Sequence, residues 1–374
     1  MPDSTVAPLA TRLREEIARQ GPISFRDFME RALYDPAGGY YGSGRARVGR
    51  GGDFFTNVSV GPLFGQLLAR QFVEMWERLD RPREFALVEQ GSHAGDLMAD
   101  VLDALQSWAP ECFAAAKAWI VEPVPTLRHL QKEKLAPFRS QTHWVTNLAD
   151  LPRFHGVHFS NELIDAFPVH RVVLRGGEWL ERGVDFQDDR FVFVDLPISN
   201  LTLTERLALL PAVPEGYETE INLAAADWIR ELSAKIDTGY VLAVDYGYSR
   251  EEYYRPERSS GTLSAYAAHQ REPDPLARPG EIDLTAHVDF TSLSEAAEAA
   301  GLKNLGFTDQ HHFIVALGQL HFQTDTADAK EIRAFKTLMH PNLMGRSFHA
   351  IGWQCGVVDP QPLTGFRFAR PLGE

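Results

Sequence analysis

The chain has 374 residues, of which 44% are hydrophobic and 24% charged, and carries a formal net charge of −14. That length buries a full core in one large elaborated domain or two, and the acidity argues against a general nucleic-acid binder, whose affinity comes from neutralising phosphates. Two cysteines, Cys112 and Cys355, make neither a disulfide framework nor a metal cluster, and no apolar run approaches the ~20 residues that cross a membrane.

The first 20 residues include Asp3, Glu15 and Glu16 and no long apolar segment, so no secretory signal is expected and the cytoplasm is the default. Residues 8–19 read as a short amphipathic helix with Leu9, Leu13 and Ile17 on one face. A second helix begins near Ser24, a candidate cap with Asp27 three residues on. Tyr34 to Phe55 is rich in glycine and aromatics. A solvated linker has little use for aromatics, so this stretch reads as a loop shaped around a ligand.

From residue 64 onward helix and strand patterns alternate. Residues 64–79 predict a helix, 85–91 a strand, 95–108 a helix, 118–122 a strand and 125–136 a helix. Short strands follow at 144–145 and 157–160. Val-rich alternation from 169 to 196, with turns at Gly176-Gly177 and Asp188-Asp189, predicts an antiparallel insertion. A helix is expected at 217–236, a strand at 240–244, a loop-rich insertion at 248–290 and a helix at 291–300. The rest mixes strand and helix without clear boundaries. The domain reading is an N-terminal helical and glycine-loop extension over 1–80, then a core over 81–374 with insertions near 169–236 and 248–290.

Such alternation implies a mainly parallel sheet covered by helices on both faces. Ligands of these sheets sit outside the carboxyl ends of the strands. Here those ends carry Glu89-Gln90-Gly91, Glu122, Asn161-Glu162 and Asp245-Tyr246. One such residue could cap the following helix, but capping is a strained account of four.

The turn from Glu89 to Asp96 has glycines only at Gly91 and Gly95, with Ser92 and His93 between them. A dinucleotide fingerprint needs three glycines, because backbone must approach a pyrophosphate closely. S-adenosylmethionine carries no pyrophosphate, so the missing glycine counts less against it. Glu122 can accept hydrogen bonds from two ribose hydroxyls, which points to an adenosine-containing cofactor. His93 reads first as a solvated or capping histidine. Asn161-Glu162 with Asp165 is either a helix start capped by Asn161 or a carboxylate cluster that grips a cation. None of the 13 histidines has metal-ligand spacing, and neither a Gly-x-Ser-x-Gly elbow nor a Walker loop occurs.

Together these residues resemble the MidA family of S-adenosylmethionine-dependent methyltransferases, whose mitochondrial members serve respiratory complex I assembly. The resemblance runs from about Pro22 to Gly352. It is carried in order by Asp35-Pro36 with Gly39-Tyr40-Tyr41, Gly52-Asp53-Phe54 with Thr56, Glu89-x-Gly91 with Gly95, and Val121-Glu122 with Gln131. It continues through Asn161-Glu162 with Asp165-Ala166, Asp245-Tyr246-Gly247, Gly261-Thr262-Leu263, Asp283 to Phe290 and Met344-Gly345. Two places depart from the usual pattern. His93 stands where a glycine is usual, and Thr56-Asn57-Val58-Ser59-Val60 replaces a stretch that usually reads Thr-Ser-Pro-Glu-Ile.

The resemblance implies an α/β, Rossmann-like class I methyltransferase fold with a mainly parallel seven-stranded sheet, an N-terminal extension and insertions. It implies S-adenosyl-L-methionine as cofactor, no metal, and a protein substrate presenting arginine, a complex I subunit among the candidates. A guanidinium is protonated in water, so a carboxylate must orient it and take up the released proton. Glu162 is the first candidate, Asp165 and Asp245 come second, and His287 is a further candidate acceptor. For the cofactor, Glu122 is expected on the ribose, with Glu89, Gly91, Gly95 and Asp96 near the amino-acid end. Asn161 borders the same side, and Gly52, Asp53, Phe54 and Thr56 are expected to close over it. The competing reading is an assembly factor that keeps the fold without turnover. An NAD-dependent oxidoreductase is disfavoured by the glycine spacing.

Overall fold

Short apolar runs become the strands of a central sheet: β1 (Phe85–Gln90), β2 (Ala116–Val121), β3 (Thr142–Val145), β4 (Phe154–Asn161), β5 (Ile236–Tyr248), β6 (Lys303–Asp309) and β7 (Phe348–Cys355). They lie in the order β6-β7-β5-β4-β1-β2-β3. The five from β5 to β3 run parallel, while β7 is antiparallel to both β5 and β6. The computed structural model describes residues 7–44, 56–267, 270–322, 328–359 and 361–372.

The chain divides into two compact units. One comprises Arg47–Leu163, Trp228–Gly247 and Phe290–Glu374, and holds the central sheet. Its inner strands are apolar on both faces because helices cover both: Leu87, Val88, Val157 and Val241 are fully buried. Helices α1 (Leu63–Arg78), α2 (Asp96–Trp108) and α3 (Pro125–Lys134) come before and between these strands. On α1, Phe72 packs its ring at a tilt against Phe159 of β4, with centroids 4.9 Å apart. Leu97, Met98, Val101, Leu102 and Leu105 form the buried stripe of α2, at the spacing expected of an amphipathic helix.

Glycine is required where three strands pass closest. Gly239, Gly156 and Ala86 stand in register across β5, β4 and β1. A Cβ on Gly239 would fall on the Gly156 carbonyl oxygen, and one on Gly156 on the Ala86 carbonyl oxygen. Neither obstacle is a side chain that can swing away. Gly239→Ala is therefore expected to cost about 3 kcal/mol, the upper range for overpacking, and to lower the thermal midpoint by several degrees. Circular-dichroism melting checks this, and an unchanged midpoint would mean the strands can part without cost.

The second unit comprises Met1–Ala46, Ile164–Asp227 and Tyr248–Asp289. Its antiparallel sheet is built on Glu178–Gln187, which pairs with His170–Arg175, with Arg190–Leu196 and with Ile23–Ser24. The two hairpin turns fall at Gly176-Gly177 and Asp188-Asp189, all four residues at positive φ as type I′ turns require. The first helix, Leu9–Gln20, buries Leu9, Leu13 and Ile17. Ser24 caps the second, Phe25–Tyr34, accepting from the Asp27 N–H and donating to its carboxylate. Phe25 and Phe28 of that helix pack on Phe193 and Phe191 of the sheet.

Three segments depart from the sequence reading. Residues 217–236 do not form one helix: Glu218–Ile221 is a strand on His170–Arg175, and the helix is Leu223–Ser233. The Glu-Thr-Glu-Ile alternation is a period-two signal that the apolar helix beyond it overrides in a long window. A short helix, Leu201–Leu207, capped by Asn200, was not expected. The 248–290 insertion contains a small sheet of Ser264–Ala267, Gln270–Arg271 and Asp283–Thr285.

Candidate functional site

The carboxyl ends of β1, β2, β4 and β5 carry Glu89, Glu122, Asn161-Glu162 and Asp245. Between Gln90 and α2 the chain must reverse within five residues, and it does so with left-handed φ at Gly91 (+79°), His93 (+46°) and Gly95 (+84°). A Cβ on Gly91 would press on Leu163, so glycine there leaves room as well as freedom. For histidine this backbone is uncommon and costs about 1–2 kcal/mol. The turn is held from outside: Gln131 of α3, fully buried, donates through Nε2 to the His93 carbonyl at 2.8 Å. The glycine usual at that position is thus replaced without loss of the turn. Asp96 opens α2, where a negative charge suits the helix N-terminus, and its carboxylate pairs with Lys134 at 2.6 Å.

Gln131 also donates to Oε2 of Glu122 at 3.0 Å and accepts from the Trp144 indole at 3.1 Å. Oε1 of Glu122 accepts from the Val124 N–H at 2.8 Å. One buried amide therefore ties the turn after β1 to the acid after β2. Burial raises the Glu122 carboxyl above its ordinary value, while the Val124 and Gln131 bonds and Arg128 hold it down. Each Glu122 oxygen keeps capacity for another donor. The residues fit an adenosine ribose: a rigid acceptor at the edge of a glycine turn. Gln131 enters the sequence reading only as part of the family resemblance; its burial within a polar helix shows its role.

Glu89 is 2% exposed and accepts from the Ser92 hydroxyl at 3.0 Å. Burial pushes its carboxyl up to about 8, against the opposing Ser92 and Met98 N–H bonds. A folded chain that keeps a proton the unfolded chain has lost is stabilised below the unfolded value and loses that stability as pH rises. The window runs from about 4.3, the ordinary glutamate value, to about 8. Glu89→Gln is expected to flatten the fall of the thermal midpoint between pH 5 and 8. A slope equal to that of the unaltered chain would show that Glu89 ionises freely in the fold.

Thr56 and Ser59 close a capping box on the 3₁₀ turn Asn57–Val60: the Thr56 N–H donates to Ser59 Oγ and the Ser59 N–H to Thr56 Oγ1. The acidic residue usual at position 59 is a common partner in that box, and serine fills the same role here. Next to it, Asn57 donates to Asn161 Oδ1 at 2.8 Å, and Asn161 donates to Glu162 Oε1 at 2.8 Å. Glu162 sits at φ +54°, a strained setting for a residue with a Cβ. Its N–H donates to the Val244 carbonyl at 2.9 Å. Asp245 is 1% exposed and uses both oxygens on backbone: Oδ2 accepts from Leu163 N–H at 3.1 Å and Oδ1 from Tyr246 N–H at 2.8 Å. It clamps the ends of β4 and β5 together, which makes it a support for Glu162.

Glu162 and Asp245 thus meet in the sheet-bearing unit, together with Glu89, Gly91, Gly95, Asp96, Glu122, Asn161 and Thr56. The other two candidate catalytic residues, Asp165 and His287, belong to the second unit. There Asp165 is buried and its carbonyl accepts from the Ala286 N–H at 2.9 Å. The His287 N–H donates to Thr262 Oγ1, which Glu220 also holds. The same unit contains a contact absent from the sequence reading: half-buried Tyr41 donates to buried Asp283 at 2.8 Å, and burial pushes the Asp283 carboxyl up to about 7. Gly52, Asp53 and Phe54 lie outside the described residues.

The model of a family of S-adenosyl-L-methionine-dependent methyltransferases matches residues 67–308. Curated relatives include the Mus musculus protein named protein arginine methyltransferase NDUFAF7, mitochondrial, 30% identical over 92% of this chain and 84% of its own length. The Drosophila melanogaster homologue of that name is 29% identical over 96% of this chain and 88% of its own. Among solved structures, a Burkholderia thailandensis protein described as a likely methyl transferase and bound to S-adenosyl-homocysteine is 33% identical. Its TM-score is 0.87, covering 96% of this chain and 95% of that one.

Proposed function

The chain belongs to the family of S-adenosyl-L-methionine-dependent methyltransferases, and we propose that the acceptor of its methyl group is an arginine side chain of a protein. The observation that carries this reading is Glu162, a carboxylate fixed by Asn161 at the end of the strand beside the cofactor-side strands. The relatives named as protein arginine methyltransferases, aligned over most of the chain, favour it over a factor without turnover.

When bound, S-adenosylmethionine supplies an electrophilic methyl group on a sulfonium. Glu122 would hold the ribose, and the Gly91–Gly95 turn would face the amino-acid end. Glu162 forms charge-assisted hydrogen bonds with the guanidinium. It would turn one nitrogen toward the methyl group and take up the proton released as the N–C bond forms and the S–C bond breaks, S-adenosylhomocysteine being the leaving group. Asp165 and His287 are proposed as secondary proton acceptors for the reaction. Most of the acceleration comes from positioning, whose effective molarities reach about 10⁵ M or more. The net charge of −14 suits a cationic acceptor.

A respiratory complex I subunit is the proposed substrate, and the cytoplasm the proposed place of action, although the curated relatives are named as mitochondrial. Among the described residues no helix is long and apolar enough to cross a membrane. Mass spectrometry of methylarginine in cells lacking the chain tests the reading. Loss of specific methylarginine sites, restored by the purified chain with cofactor, is expected. Label appearing only on lysine or carboxylate would overturn the arginine assignment.

A further inference from the structure

Asn57 is fully buried, and among the described residues its Oδ1 has no hydrogen-bond partner. A buried carbonyl oxygen left unmatched costs about 1–3 kcal/mol, and residues placed for stability alone rarely carry that cost. Its NH₂ group, in contrast, donates to Asn161 Oδ1 at 2.8 Å. The polarity of this contact is set from the far end. An ionised carboxylate only accepts, so the Asn161 atom 2.8 Å from Glu162 Oε1 must be its NH₂. Asn161 then turns its oxygen toward Asn57, and Asn57 must offer its NH₂ in return. The three side chains form a one-way donor relay ending on Glu162. Its origin is rigid, because the Thr56–Ser59 capping box fixes the turn that carries Asn57.

We propose that Asn57 is a positioning residue for methyl transfer, holding the Asn161 amide in the orientation that keeps its NH₂ on Glu162. Without the Asn57 donor, Asn161 is free to rotate or flip its amide, which would set its oxygen against the carboxylate. The inference rests on the reading of Glu162 as the group that orients the acceptor. It assigns Asn57 no contact with cofactor or acceptor.

Asn57→Asp keeps the shape and removes the donor; Asn57→Ala, which buries no new charge, stands in if that variant does not fold. Asn57→Ala is expected to lower kcat about tenfold, the worth of one charge-linked hydrogen bond. The calorimetric affinity for S-adenosylmethionine should stay within about twofold of the unaltered chain. The deciding measurement is a double-mutant cycle with Asn161→Ala. In that background Asn57→Ala should have almost no further effect on kcat, because the residue through which it acts is gone. The acid limb of the pH–rate profile should also move to higher pH in Asn57→Ala, since fewer donors favour the protonated acid. Equal losses in both backgrounds, or a loss of cofactor affinity matching the loss of rate, would overturn the inference alone. Absence of methyl transfer by the unaltered chain would remove the reading of Glu162 and this inference with it.

Discussion

Glu162→Gln is expected to lower the rate of methyl transfer by about 10²- to 10⁴-fold, the usual worth of a positioned proton acceptor, while cofactor affinity stays nearly constant. Glutamine is the informative replacement. Its amide oxygen can still accept from Asn161 Nδ2, as Glu162 Oε1 does at 2.8 Å, and its backbone can keep the Val244 hydrogen bond and the strained φ. What disappears is the negative charge that binds a guanidinium and the basicity that receives its proton. Single-turnover transfer of labelled methyl, with calorimetry for the cofactor, separates the two effects. A rate within twofold of the unaltered chain would take Glu162 out of the reaction. Asp245→Asn supplies the contrast. Asp245 spends both oxygens on the N–H groups of Leu163 and Tyr246, so its loss should lower the melting temperature as well as the rate.

The sheet was legible in the sequence because its strands are buried on both faces, and continuous apolar runs such as Phe85–Val88 and Tyr240–Val244 have few other uses. The acids at the strand ends were legible for the complementary reason, since charge at the end of an apolar run stands out. Less visible were features that depend on contacts between distant segments. Gln131 is marked in sequence by the family resemblance but without a role, and only the structure shows that it joins His93, Glu122 and Trp144. Asn57 and Asn161 are 104 positions apart, and nothing in local pattern announces their pairing. His93 looked like an obstacle where glycine is usual. The structure shows its left-handed backbone with an external hydrogen bond from Gln131 on its carbonyl. Ser59 is the same kind of case: the position needs a capping partner, and a hydroxyl serves where a carboxylate is usual.

Glu122 is the residue whose loss should most damage cofactor binding. Glu122→Ala is expected to weaken S-adenosylmethionine binding about 100-fold, because a carboxylate accepting from two ribose hydroxyls makes two charge-assisted bonds of about 1.5 kcal/mol or more each. Glu122→Gln keeps one acceptor and should lose about tenfold. The alanine variant also removes the acceptor for Val124 N–H and for one Gln131 bond, so the comparison needs a melting curve for each protein. The pH dependence separates direct contact from general loosening. Burial raises the Glu122 carboxyl, so the unaltered chain should lose cofactor affinity as acidification protonates that acid. Glutamine does not titrate, and its binding curve should be flatter over the same acidic range. Equal acid sensitivity in both proteins would place the ribose acceptor elsewhere. Affinity that declines with pH in the unaltered chain alone would tie the charge of Glu122 to the cofactor, and with it the Gln131 bridge that holds the acid beside the turn.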